Sequence, residues 1–107
     1  LSEYLQTRRS LIGLALMMDA RHPLTELDWR MLNWFVPTGK PIHILLTKSD
    51  KLKRGAAGTA LLQVRARLKA NADLVSVQLF SAVKHAGHKE LIAVLDAWLT
   101  DVNAEHV

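Results

Sequence analysis

The 107 residues predict an α/β fold: three layers, built on a parallel three-stranded sheet with right-handed helical crossovers. Two observations carry this expectation. Apolar runs of strand length recur at residues 11–18, 41–46 and 74–80. Each is followed by a stretch whose apolar residues fall at helical spacing. Strand and helix in strict alternation give a parallel sheet whose connections cross over in the right-handed sense.

Taken in order, Leu1, Tyr4, Leu5 and Arg8 lie at helical spacing, so residues 1–8 are expected to be the last turns of a helix. The run from Leu11 to Met18 is apolar without alternation, the pattern of a strand covered on both faces. Residues 19–23 form a polar break. Thr25 is placed as a helix N-cap with Asp28 three residues on. Leu24, Leu27, Met31 and Trp34 or Phe35 then form one stripe up to Val36, and Pro37-Thr38-Gly39 closes that helix. A buried strand from Ile42 to Leu46 follows, then a loop from Lys51 to Gly55. Residues 56–70 are expected as a helix with Leu61, Val64 and Leu68 inward and Arg65, Arg67 and Lys69 away from them. Residues 71–73 turn the chain. The third run alternates in part, so that strand is expected to be less enclosed. Residues 81–87 read as a loop, and 88–100 as a helix with Leu91, Ile92, Leu95, Trp98 and Leu99 on one face. All 107 residues fit within a single domain.

Composition removes several classes of function. The longest apolar run is too short to cross a bilayer, and the first nine residues carry charge and no apolar leader core. No membrane partner is expected. There is no cysteine, which excludes a disulfide framework and a thiolate metal site and fits the cytoplasm. Fourteen Lys and Arg against ten Asp and Glu give a net charge of +4, which permits contact with a polyanion without requiring it. The chain starts at Leu1 and reads as a piece of a longer protein.

The chemistry lies past the strand ends. Thr47-Lys48-Ser49-Asp50 follows the second strand directly, and ligands of open parallel sheets bind outside the carboxyl ends of the strands. An ionised Asp50 only accepts hydrogen bonds. It suits a group with two adjacent N–H donors, such as the N1–H and N2–H₂ edge of guanine. The aliphatic stem of Lys48 can lie over a planar base while its ammonium stays in water. Phe80-Ser81-Ala82-Val83 follows the third strand. Consecutive parallel strands are usually neighbours, which brings this second loop beside the first. There the Ala82 N–H can donate to guanine O6, and Ser81 can brace the loop by a local bond to backbone.

These segments, together with Asp19-Ala20-Arg21-His22-Pro23-Leu24-Thr25-Glu26-Leu27-Asp28, resemble the EngB (YihA/YsxC) family of bacterial GTP-binding proteins over nearly the whole chain. The resemblance implies a P-loop GTPase (G) domain, here lacking its N-terminal half. It implies GTP or GDP with Mg²⁺ as ligands of the intact parent. It also implies a part in large ribosomal subunit assembly, through that subunit or its rRNA, and in cell division and septation. By position, Thr47, Lys48 and Asp50 would read the base, with Ser49 in the same loop, and Ser81, Ala82 and Val83 would form the second guanine loop. Many GTPases carry Lys where this chain has Val83. A phosphate cradle of the form Gly-x-x-x-x-Gly-Lys-Ser/Thr does not occur, because none of the glycines at 13, 39, 55, 58 and 87 fits it. No Asp-x-x-Gly occurs either. No catalytic or metal-binding residue is therefore assigned, and the chain alone is expected to bind guanine nucleotide weakly and not to turn it over.

Other readings stand beside this one. The basic cluster of Lys51, Lys53, Arg54, Arg65, Arg67 and Lys69 can be a solvated helix face or can touch phosphates. The alternative function is thus an RNA- or ribosome-binding module without nucleotide turnover. Residues 19–23 read either as a plain turn or as a segment whose Arg21 and His22 face a partner or a switch segment. His85 and His88 lack a third metal ligand and are expected to be solvated. A Ser81–His85–Asp96 triad lacks a nucleophile elbow. Trp29, Trp34 and Trp98 are expected in or near the core. In the family resembled, the first strand has a further neighbour leading into the P-loop. Without it the Leu11–Met18 edge is exposed, and a dimer or strand-exchanged assembly is expected.

Overall fold

The computed structural model describes residues 12–105. The expected helix at residues 1–8 lies outside them. Three strands, β1 (Leu14–Asp19), β2 (Ile42–Thr47) and β3 (Val75–Leu79), form one sheet in the order β1-β2-β3, all parallel. Three helices alternate with them: α1 (Glu26–Phe35), α2 (Arg54–Arg67) and α3 (His88–Glu105). The α/β class, the parallel sheet and the strand order are as the sequence predicts.

Register explains the core. Leu14, Leu16 and Met18 align with Ile42, Ile44 and Leu46, and these align with Val75, Val77 and Leu79. Side chains alternate across a strand, so all nine share one face. That face packs on Leu32 and Phe35 of α1 and on Val64 and the nearby Leu68. The opposite face carries Ala15 and Met17, His43 and Leu45, and Ser76 and Gln78. Here α3 approaches: a Cβ on Gly13 would stand 2.8 Å from the Trp98 ring. His43, Leu45 and Gln78 are buried.

Several elements differ from expectation. β1 begins at Leu14 rather than Leu11 and runs to Asp19. It is not enclosed on both faces, since Met17 is 68% exposed and Ala15 is exposed. Among the described residues, cover over the opposite face is complete only at β2 and at Gln78 of β3, while Ser76 is exposed. In α1 the Thr25–Asp28 capping box forms as expected, with Thr25 N–H donating to Asp28 Oδ2 (2.9 Å) and Asp28 N–H to Thr25 Oγ1 (3.2 Å). The box turns Asp28 inward, so the buried positions are Asp28, Leu32 and Phe35, and the expected Leu27 is exposed. α2 begins at Arg54, inside the expected loop, and ends at Arg67 in place of Ala70, followed by a 3-10 turn at Lys69–Asn71. Its small residues Ala57 and Ala60 are buried and admit close packing before Val64. β3 is shorter than residues 74–80 at each end, and α3 continues beyond Thr100.

Candidate guanine-reading loops

The site is built where three strands end together. Past β2, the chain turns through Lys48 in the left-handed region (φ 57°, ψ 33°) into a 3-10 turn at Ser49–Lys51. A non-glycine residue there is uncommon and marks a locally constrained turn. Lys51 N–H donates to Lys48 O (2.9 Å) and Leu52 N–H to Ser49 O (3.2 Å), which closes the turn. Past β3, the segment from Ser81 to Ala86 is closed by a reciprocal pair. Ser81 N–H donates to Ala86 O, and Ala86 N–H to Ser81 O, each at 3.0 Å. His85 (φ 52°) and Gly87 (φ 90°) make the turn possible.

Hydrogen bonds fasten these two loops together. Phe80 N–H donates to Leu46 O (2.9 Å) and Ser49 N–H to Phe80 O (3.2 Å), extending the parallel ladder past the strands. Ser81, which is 1% exposed, donates its hydroxyl to Asp50 Oδ1 at 2.7 Å. Ser81 Oγ in turn accepts Lys84 N–H at 3.1 Å, the local brace expected of Ser81. Donation from Ser81 holds the Asp50 carboxyl below the usual aspartate range, although partial desolvation opposes it. Asp50 is therefore ionised at neutral pH. Among the described residues the Ala82 N–H donates no hydrogen bond, and Ala82 and Val83 are exposed at the tip of the second loop.

The end of β1 joins the same rim. Ala20 N–H donates to Thr47 O (2.9 Å), and the Thr47 hydroxyl donates to Met18 O (3.2 Å). Asp19 accepts from Arg21 three times: from its N–H at 2.9 Å, its Nε at 3.0 Å and its Nη2 at 2.8 Å. These bonds hold the Asp19 carboxyl far below, and the Arg21 guanidinium above, their usual ranges. Lys48 Nζ lies 3.9 Å from Asp19 Oδ2. Arg21 is thus spent on Asp19, and Asp19 also faces the ammonium of Lys48. The sequence reading missed this second link. An acid at the end of the first strand, level with the Thr47 loop in a parallel sheet, is the signal that could have found it.

The loops therefore present an ionised carboxylate, a lysine held by a neighbouring acid, and a free backbone donor on one rim. A flat heterocycle with adjacent N–H donors and a carbonyl acceptor matches that set. No group of three His, Cys, Asp or Glu side chains among the described residues could hold a metal ion. The Ser81 hydroxyl goes to Asp50, not to a histidine as a hydrolytic triad would need. The basic cluster is partly occupied: Arg65 Nη2 donates to Val77 O (3.3 Å), and the Arg67 guanidinium stands 5.6 Å from the Trp29 ring centroid. No described helix is long and apolar enough to cross a membrane.

No family model matches the chain. It is 60% identical over 103 residues to the probable GTP-binding protein EngB of Azoarcus sp. (strain BH72), covering 95% of this chain and 49% of that protein. It is 50% identical over 106 residues to the probable GTP-binding protein EngB of Thiobacillus denitrificans, covering 99% and 51%. Against the protein of that name from Burkholderia thailandensis the identity is 52% over 110 residues, covering 98% and 50%. The chain spans about half the length of the curated relatives it matches.

Proposed function

The chain is part of an EngB-family GTP-binding protein, and on that premise we propose that it supplies the guanine-recognition loops of a nucleotide-binding domain. Thr47, Lys48, Ser49 and Asp50 form the first loop; Ser81, Ala82 and Val83 form the second. Asp50 accepts from N1–H and N2–H₂ of the base. Lys48 lies over the ring with its ammonium toward Asp19, and the Ala82 N–H donates to O6. The hydrogen bond from Ser81 to Asp50 is the observation that carries this reading. It ties two loops from adjacent strands into one rim and keeps the acceptor charged.

The parent protein then binds GTP and GDP, with Mg²⁺ held by residues outside this chain, and hydrolyses GTP. Its place is in large ribosomal subunit assembly, with consequences for cell division and septation, in the cytoplasm. The support for these finer statements is the family resemblance and the names of the relatives. Without a phosphate cradle the 107-residue chain binds guanine weakly, because a charge-assisted hydrogen bond contributes about 1.5–3 kcal/mol and ordering the ligand consumes part of that.

The test is calorimetry on the full-length parent with GDP and XDP. Xanthine presents a carbonyl at C2 where guanine presents an amine. Asp50→Asn, which adds a donor, is expected to weaken GDP binding by about a hundredfold, the loss of roughly two such bonds, and to strengthen XDP binding. Unchanged selectivity would overturn the assignment.

A further inference from the structure

Beneath the second loop lies a buried polar relay in the otherwise apolar centre of the sheet. His43, in the middle of β2, is 3% exposed. Its Nε2 is 2.6 Å from Gln78 Oε1, and its Nδ1 is 2.6 Å from Ser76 Oγ. The Gln78 amide nitrogen donates to Gly87 O at 2.7 Å and to Leu79 O at 3.1 Å. These bonds fix the direction in which Gln78 and His43 Nε2 are joined. With both amide hydrogens spent on carbonyls, Gln78 Oε1 faces His43 and can only accept. His43 must then carry a proton on Nε2, and in the neutral ring Nδ1 accepts from the Ser76 hydroxyl.

Polar groups in a sheet core cost stability unless fully bonded, and this set is bonded throughout. Its outward end is Gly87, the residue that follows the Ser81–Ala86 closure. Gly87 has no room for a side chain: a Cβ there would clash with Leu79 O and stand 2.6 Å from Gln78 Nε2. One root of the loop is thus Ser81, fastened to Asp50. The other is Gly87, fastened through Gln78 to His43 in the adjacent strand.

We propose that Gln78, oriented by His43, is a positioning residue for guanine recognition: it sets the loop that carries Ala82 at the height where its N–H meets the base. This deepens the guanine-loop reading and rests on it. Gln78 touches no nucleotide. It acts by fixing the exit of the loop, while Ser81 fixes the entrance.

The experiment uses Gln78→Met, which keeps the side-chain volume and removes both donors. Amide hydrogen exchange over residues 81–87 reads loop anchoring without nucleotide, and GDP titration of the full-length parent reads recognition. Faster exchange confined to 81–87, with GDP affinity about tenfold weaker (the loss of roughly one buried hydrogen bond), supports the proposal. Restoring an amide with Gln78→Asn, one methylene shorter, is expected to recover part of both, and this variant also serves if the Met variant does not fold. Unchanged exchange overturns the tether. Faster exchange with unaltered GDP affinity overturns its role in recognition. An Asp50→Asn control that leaves GDP affinity intact places the failure in the guanine reading instead of in Gln78.

Discussion

At the scale of single residues, two aspartates hold the rim and both make it sensitive to acid. Asp19 accepts three bonds from Arg21 and Asp50 accepts from Ser81, and each carboxyl sits below its usual range. The unfolded chain therefore binds more protons than the native one just below about pH 4, where free aspartates titrate. Stability contributed by these groups is complete above that value and is lost as pH falls toward the lower native values. Thermal unfolding of wild type and Asp19→Asn at pH 7 and pH 3 checks this. The variant is expected to unfold at lower temperature at pH 7, with the gap narrowing at pH 3. A gap that stays constant would show that the Asp19 carboxylate contributes nothing through its charge. How legible these residues were depends on how local their partners are. Asp50 and Lys48 stood out because a short pattern follows an apolar run. The Asp19–Lys48 approach and the Ser81–Asp50 bond join residues far apart in the chain, and only strand register brings them together. His43, Ser76 and Gln78 announced themselves solely as polar interruptions in apolar runs; His43 and Gln78 are buried and Ser76 is exposed, and nothing local in the sequence says what they are bonded to.

Elements were legible where one local rule ruled alone. β2 is buried along almost its whole length, so its apolar run, interrupted by His43, gave its position within a residue. The capping box of α1 was read from Thr25 and Asp28, but the face it buries was not. The apolar stripe favoured Leu27, while the cap geometry rotates Asp28, Leu32 and Phe35 toward the sheet. The start of α2 was missed because Gly55 looks like a loop residue; Gly58 falls inside the expected helix. The structure carries both in helix, where each costs up to about 1 kcal/mol relative to alanine, offset by the burial of Ala57, Ala60 and Val64. The cap gives a prediction at this scale. Thr25→Ala removes the acceptor for the Asp28 N–H and leaves the Asp28 carboxylate, half of the reciprocal pair, less well fixed. Denaturant unfolding is expected to show a loss of about 1 kcal/mol, with Thr25→Ser close to wild type. Equal stability of all three proteins would mean that packing of Leu32 and Phe35 alone fixes the helix start.

For the molecule as a whole, the unfinished side is at β1. Leu14 N–H and Ala20 N–H reach across to β2, so the intervening odd positions direct their backbone groups the other way, and β1 pairs with no other strand among the described residues. On the sheet face beside it, opposite the core, Met17 is exposed. An open edge next to an apolar surface is a template for pairing with another chain. The matched relatives are about twice as long, so they have further chain available to cover this side. The isolated chain is therefore expected to associate as its concentration rises, by a dimer across β1 or by strand exchange, with light scattering reporting a growing mass. Met17→Lys places a charge on that surface without touching the core face of Leu14, Leu16 and Met18, and it is expected to keep the chain monomeric over the same range. Association of the variant as strong as that of wild type would place the contact elsewhere. A wild-type chain that stays monomeric at high concentration would show that the edge is already closed by its own residues.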